Sequence, residues 1–135
     1  MRRGPWLALL LLAAPAWADS GQPSLTAELD CQPEAGSSRL VCNVDYRTAA
    51  TGRIVWADAL VTAAPAFARP LRARVTAGVE RGGAAARAGL ALVPSGRGNG
   101  KLEVRARSVI CVAGETSKGT CFPVERELST VLAVP

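Results

Sequence analysis

The four cysteines are the residues of this 135-residue sequence with the most specific chemistry. Ten residues separate Cys31 from Cys42, and nine separate Cys111 from Cys121. An even number of cysteines in a small exported domain favours disulfide bonds, and these spacings do not match the short spacings of zinc sites. The sequence therefore predicts two disulfides, no metal site and no cofactor.

Strand parity helps to choose the pairing, because alternate residues of a β-strand point to opposite faces of a sheet. Cys31 and Cys42 fall on the apolar side of two alternating segments that flank one turn, which predicts a pair inside the fold. Cys111 and Cys121 share the phase of charged residues, which predicts a pair on the outside. We therefore expect a buried structural bridge between Cys31 and Cys42 and an accessible bridge between Cys111 and Cys121.

A second pairing stays open at this point. Cys42, Trp56 and Cys111 follow the order found in immunoglobulin domains, in which a core tryptophan packs on a disulfide between two sheets. The other two cysteines would then pair with each other. Val109 stands where such a domain has a tyrosine, two residues before the second cysteine. Trp56 is predicted to lie in the core.

Four residues around the last cysteine match a motif of a known family: Gly119, Cys121, Phe122 and Pro123. This segment resembles the N-terminal periplasmic domain of the thiol:disulfide interchange protein DsbD, whose second reactive cysteine lies in a Gly-x-Cys-aromatic-Pro context. The resemblance implies an immunoglobulin-like fold. It also implies that Cys111 and Cys121 are a catalytic redox pair that passes electrons from a membrane partner to periplasmic oxidoreductases.

Cationic side chains near an accessible disulfide would make its cysteines more reactive, because they favour the thiolate. Arg105, Arg107 and Lys118 are the candidates for this role beside Cys111 and Cys121. The alternative is that this bridge, like most disulfides across surface hairpins, is structural.

The composition excludes several kinds of catalysis. The chain has no histidine, which removes Ser-His-Asp and Cys-His nucleophiles and imidazole metal ligands. The glycine-rich segment before Lys101 lacks the Ser or Thr of a phosphate-binding loop. The leading hypothesis is therefore a binding or accessory module without catalytic activity, and the alternative is thiol–disulfide exchange by Cys111 and Cys121.

Arginines at outward strand positions are the candidate binding residues: Arg72, Arg74, Arg105 and Arg107. If their strands are neighbours, they form a basic patch suited to an acidic partner. The alternative is that they are separate, solvated side chains interspersed with Glu103, Glu125 and Glu127.

The elements that position these residues are predicted to be strands, since apolar and polar residues alternate in most segments. The segments are 24–31, 39–47, 54–62, 71–75, 101–112 and 124–134. Residues 80–92 favour a strand over an alanine-rich helix, and Asn99-Gly100 predicts a tight turn. About seven strands predict an all-β fold, an immunoglobulin-like antiparallel β-sandwich.

Residues 1–18 are predicted to be a cleaved signal peptide. Arg2 and Arg3 precede the apolar run 7–14, and Ala16-Trp17-Ala18 supplies the small residues that signal peptidase accepts. The run is shorter than the roughly 20 residues that span a bilayer, so no membrane insertion is expected after cleavage. Residues 19–135 would then form one β-sandwich domain in the periplasm or outside the cell.

The charge of the chain bears on its partners. The formal net charge is +5, and removal of Arg2 and Arg3 from the sixteen basic residues lowers it to about +3 against eleven acidic ones. This mild charge, with few aromatic residues, does not indicate nucleic-acid binding. The expected partner is another periplasmic or membrane protein.

Overall fold

The computed structural model describes residues 24–113 and 119–135, and the predicted signal peptide and Lys118 lie outside them. Within these ranges the chain forms nine strands and no helix. Accordingly, none of the described residues belongs to a helix long and apolar enough to cross a bilayer. The strands are β1 Leu25–Pro33, β2 Leu40–Thr48, β3 Gly52–Ala63, β4 Ala68–Pro70, β5 Arg74–Thr76, β6 Gly78–Val79, β7 Ala85–Pro94, β8 Gly98–Val112 and β9 Thr120–Val134.

The strands form two antiparallel sheets. The five-stranded sheet has the order β1-β2-β7-β4, and β6 pairs with the same β7 strand. The four-stranded sheet has the order β5-β3-β8-β9. The edge strands β1 and β9 lie beside each other, and β3 and β7 are in contact further across the two sheets. The predicted all-β fold with antiparallel sheets is confirmed.

One apolar core lies between the sheets, and it is formed by alternate residues of the strands. In β8, the alternate residues Leu102, Val104, Ala106, Ser108 and Ile110 are buried, whereas the residues between them lie on the outer face. From the opposite sheet, Val44, Tyr46, Leu90 and Leu92 are buried against them. Many of the remaining core residues are alanines (57, 59, 68, 77, 86 and 88), and such small side chains let the sheets approach closely.

Of the segment predicted as one strand at 71–75, only residues 74 and 75 form a strand, as part of β5. β4 pairs with β7, the chain leaves that sheet after Leu71, and β5 pairs with β3. The described residues form nine strands rather than about seven, because β4 and β6, of three and two residues, are too short to show a pattern of alternation. The strand preferred for residues 80–92 is confirmed as β7, whereas the predicted turn at Asn99-Gly100 is wrong, since both residues belong to β8.

The turn between β6 and β7 supports the edge of β3, because the Ile54 N–H donates to the Gly83 carbonyl at 2.8 Å. Gly83 has φ +76°, and a Cβ atom there would lie 2.1 Å from the Arg53 Cγ and 2.7 Å from the Ile54 carbonyl oxygen. Neighbouring Gly82 also has a positive φ, +90°, but a Cβ atom there would meet nothing within 4 Å.

We predict that Gly83→Ala destabilises the protein by about 2–4 kcal/mol, since it adds a steric clash to the backbone cost of an L residue at positive φ. Gly82→Ala carries the backbone cost alone, about 1–2 kcal/mol. Urea unfolding of both variants measures the difference. Equal losses would show that Gly83 does not pack tightly against β3.

Candidate functional site

A β-bulge in β3 decides which side chains reach the outside of the four-stranded sheet. Ile54 pairs with Ile110, but Trp56 pairs with Val109, so Val55 is an extra residue on its strand. Such a bulge reverses the parity of all the residues that follow it. Ile54 is buried, Val55 is 44% exposed, and Trp56 is half-buried outside the core cluster. The prediction of a core tryptophan is wrong because the bulge turns the side chain outward.

Trp56 lies among apolar residues and arginines on this outer face. Its register partner in β8 is Val109, which pairs in turn with the exposed Pro123 of β9. The guanidinium carbons of Arg74 and Arg107 lie 5.9 and 5.8 Å from the centre of the indole ring. Both distances suit cation–π contacts. The set is here called the Trp56 surface and comprises Val55, Trp56, Arg74, Arg107, Val109 and Pro123.

The carboxylate of Asp58 holds the two arginines in place. The Arg74 Nε donates to its Oδ2 at 2.6 Å, while the Arg107 Nε and one terminal nitrogen donate to Oδ1 and Oδ2 at 2.8 and 2.5 Å. Asp58 is on the outer side of β3, yet its side chain is 0% exposed, whereas those of Arg74 and Arg107 are 57% and 30% exposed. One carboxylate thus links β3 to both of its neighbours, β5 and β8.

The environment keeps Asp58 ionised. Burial by itself would raise the pKa of this carboxyl, but the hydrogen bonds from Arg107 and Arg74, together with their positive charges, outweigh it. The pKa of Asp58 therefore lies below its ordinary value. Conversely, the hydrogen bond with Asp58 raises the pKa of Arg107. At neutral pH the three groups are all charged, with one positive charge in excess.

Asp58 is also tied to the opposite sheet through its backbone. The Tyr46 hydroxyl of β2 donates to the Asp58 carbonyl at 2.5 Å across the core. Burial raises the pKa of this hydroxyl well above its ordinary value, and the charge of Asp58 adds to the effect. Tyr46 thus remains a neutral donor that fixes the height of β3 above the five-stranded sheet.

The cysteines pair as parity predicts, Cys31 with Cys42 and Cys111 with Cys121. Each bond joins directly opposite residues of neighbouring strands, so neither connects the two sheets. Cys42 is fully buried and Cys31 packs against the core, whereas Cys121 is exposed and Cys111 half-buried on the outer face. The alternative immunoglobulin pairing is wrong. Two such disulfides indicate an oxidising, non-cytoplasmic environment.

The Cys111–Cys121 disulfide is adjacent to the Trp56 surface on the outer face, since Val109 and Pro123 lie two residues away from the cysteines on the same strands. Of the predicted cationic flank, Arg105 and Arg107 are not beside it, and Lys118 lies outside the described residues. Arg107 is four residues from Cys111, about 13 Å along the strand, and Arg105 lies further away. Arg107 binds Asp58 and Arg105 binds Glu127 at 2.6 Å, so neither contacts the disulfide.

The four arginines of the predicted basic patch do not form one uniform patch. Arg74, Arg105 and Arg107 share the outer face of the four-stranded sheet. Arg72 instead lines a cavity of about 230 Å³ with Leu71, Val75, Gly89 and Ala91, where the chain crosses from one sheet to the other. Each of the first three pairs with an acidic residue, since Arg74 and Arg107 bind Asp58 and Arg105 binds Glu127.

The described residues bring together no set of side chains for binding a metal ion. No cluster of three or more Cys, Asp or Glu side chains able to hold a metal lies within these ranges. A second shallow cavity, about 290 Å³, is lined by Lys101, Glu103, Glu127, Leu128 and Ser129. It contains charged surface residues but no buried polar group aimed into it.

Sequence reasoning missed Asp58 and Val55. The signal for Asp58 was present, because a lone carboxylate inside the apolar run 54–62 requires a cationic partner when it is buried. The signal for the bulge was absent, since a strand that is apolar on both faces fits either parity. The comparisons assign no role to these residues: no protein-family model matches the chain, and no curated protein or solved structure matches it.

We predict that Asp58→Asn lowers the free energy of unfolding at pH 7 by about 1–3 kcal/mol, since it removes charged hydrogen bonds from a buried site. The folded-state pKa of Asp58 is depressed, so its contribution is present above the ordinary carboxyl value of 3.8 and is lost as the pH falls through the folded value. The deficit of the variant should therefore shrink between pH 4 and pH 2.

Urea unfolding at pH 7, 4, 3 and 2 measures this trend. Glu127→Gln is the matched control, because it removes an exposed ion pair with Arg105 that contributes little to stability. A deficit of Asp58→Asn that stays constant down to pH 2 would contradict the proposed role of the Asp58 charge.

Proposed function

We propose that this protein is a non-catalytic binding module that docks a partner protein on the Trp56 surface. The observation that carries the proposal is the fixed position of Trp56 outside the core. The bulge at Val55 turns the indole outward, and the two arginines bound to Asp58 hold it on the face.

This arrangement is better explained by binding than by stability. Burial of the Asp58 carboxylate costs several kcal/mol of solvation, and well-packed apolar residues often replace such ion clusters without loss of stability. What the cluster supplies is a rigid group of Trp and Arg side chains, which are the types that dominate the energy of protein interfaces. Fixing them beforehand reduces the entropy lost on binding.

The proposed setting rests on the predicted signal peptide and on the two disulfides. A signal peptide at 1–18 would deliver residues 19–135 to the periplasm or the medium, where the two disulfides persist. The partner is then another periplasmic protein or the exposed part of a membrane protein. The two-sheet architecture is compatible with an immunoglobulin-like module, a class in which outer faces and loops carry binding sites.

We predict that a photoreactive benzophenone side chain at position 55 forms a covalent adduct with a specific protein in cells of the source organism. Val55 is on the Trp56 surface and is exposed, so the substitution should not disturb the core. Adding Trp56→Ala should reduce the adduct at least about tenfold, as expected for a Trp at the centre of an interface.

The matched control carries the same benzophenone at Thr26, an exposed residue of β1 in the other sheet. Circular dichroism verifies that each variant folds. An adduct that forms equally at both positions, or that survives Trp56→Ala in a folded protein, would refute the Trp56 surface as the docking site.

Thiol–disulfide exchange is the second candidate function, and the exposure of Cys121 favours it. A partner thiolate would attack the Cys121 sulfur, form a mixed disulfide and release Cys111 as a thiolate. A second partner thiol would then attack the partner's sulfur in that mixed disulfide and release Cys121. Two electrons would pass from the partner dithiol to this chain, and the direction would reverse if the partner were the oxidant. The resemblance of residues 119–123 to the N-terminal domain of DsbD supports this candidate.

The reduction potentials of the two disulfides separate the candidates. If Cys111–Cys121 exchanges, its potential should lie between about −180 and −270 mV, while a structural bond lies below about −300 mV. Equilibration with dithiothreitol or glutathione, followed by alkylation and peptide mass spectrometry, measures both bonds in one sample. Cys31–Cys42 is the internal control, because its burial in the core predicts a structural value. A potential for Cys111–Cys121 as low as that of Cys31–Cys42 would exclude the redox function.

A further inference from the structure

The two arginines of the Trp56 surface have hydrogen-bond donors that Asp58 does not use. A guanidinium has five N–H groups. Arg74 places one of them on Asp58 and Arg107 places two. The remaining donors of Arg74 belong to a side chain that is 57% exposed, so they are accessible from solvent.

The charge of this cluster is positive on one side. Two guanidinium groups surround one carboxylate, and Glu125 of β9 approaches Arg107 only from the far side. On the near side, the register neighbours of Arg74 and Asp58 are Leu60 and Thr76, which carry no charge. The uncompensated positive charge therefore lies at Arg74, near the edge of the four-stranded sheet.

An apolar surface adjoins this charge. The guanidinium groups of both arginines lie within 6 Å of the Trp56 ring centre. Val109 and Pro123 are in register with Trp56 on the next two strands, and the exposed Val55 precedes it in β3. A ligand that covers the site thus contacts a positively charged guanidinium group and, a few ångströms away, the apolar side chains of the Trp56 surface. The hydrogen bonds to Asp58 also restrict both guanidinium groups before a ligand arrives.

We infer that the partner presents a segment with an Asp or Glu carboxylate that binds the outer donors of Arg74 and Arg107, next to an apolar side chain that packs on Trp56. This inference rests on the proposed binding function and names the chemistry of its partner. The planar guanidinium fork matches a carboxylate with two parallel hydrogen bonds. The apolar side chains of the Trp56 surface match an apolar side chain next to that carboxylate in a peptide.

The same face disfavours a polyanion such as a nucleic acid. Glu103, Glu125 and Glu127 lie along β8 and β9 beside the arginines, and they would repel a continuous row of phosphates. A short acidic and apolar segment reaches Arg74 from the edge of the sheet and avoids these glutamates.

The experiment is an NMR titration of the isotopically labelled protein with two synthetic peptides. The first is acetyl-Gly-Glu-Leu-Glu-Gly-amide, and the second has glutamine in place of both glutamates. The Trp56 indole N–H is assigned by its loss in Trp56→Phe, and the Arg74 Nε–H by its loss in Arg74→Gln. The glutamate peptide should shift both signals in a saturable way, with an affinity at least about tenfold above that of the glutamine peptide.

The matched variants are Arg74→Gln and Arg105→Gln. Arg105 is on the same face but is bound to Glu127, so its loss should leave the affinity unchanged, whereas Arg74→Gln should lower it about tenfold. Arg74→Lys should restore part of it by retaining the charge. Equal binding of the two peptides, equal effects of both Gln variants, or tighter binding of inorganic phosphate than of the peptide would overturn the carboxylate inference.

The proposed docking function and the proposed carboxylate recognition can fail separately. If the benzophenone at position 55 still gives a Trp56-dependent adduct while the peptides behave alike, the docking surface stands and only the carboxylate recognition is wrong. If the glutamate peptide binds as expected but no Trp56-dependent adduct forms in cells, the site recognises carboxylates and the proposed docking function is wrong.

Discussion

Asp58 is the point on which the arrangement of this protein depends. Its carboxylate binds Arg74 of one neighbouring strand and Arg107 of the other, and its carbonyl accepts the hydroxyl of Tyr46 from the opposite sheet. A buried carboxylate cannot remain ionised without such partners, because the loss of hydration would be too large. The need to satisfy one charge therefore fixes the positions of three strands and of the side chains that cover it.

The bulge at Val55 determines that this charge belongs to the outer face and not to the core. Without it, Trp56 and Asp58 would point between the sheets, where a carboxylate would face alanines and leucines. With it, the core receives Ala57 and Ala59, whose small size allows close packing of the sheets, and the indole is placed on the surface. A local insertion of one residue thus improves the packing and creates the candidate site at the same time.

The two disulfides fasten edge strands to their neighbours within a sheet. Cys31–Cys42 fastens β1 to β2, and Cys111–Cys121 fastens β9 to β8. β1 and β9 are the edge strands on the same side of the molecule, so each bond secures a strand that has a sheet neighbour on only one side. This placement explains why a chain with two disulfides needs none between its sheets, where apolar packing and the Tyr46 hydrogen bond join the layers.

The sequence by itself determined the all-β class, and it favoured both the strand at β7 and the pairing and facing of the cysteines that the structure shows. These properties depend on local alternation, and clear contrasts between apolar and charged neighbours make the parity of β2 and β8 readable. It did not determine the position of Trp56, the change of sheet near Leu71 or the grouping of Arg74 with Arg107. These depend on a bulge in a strand that is apolar on both faces and on which strands become neighbours. Only tertiary structure decides them, because the energies involved come from contacts between residues that are as many as 49 positions apart in the chain.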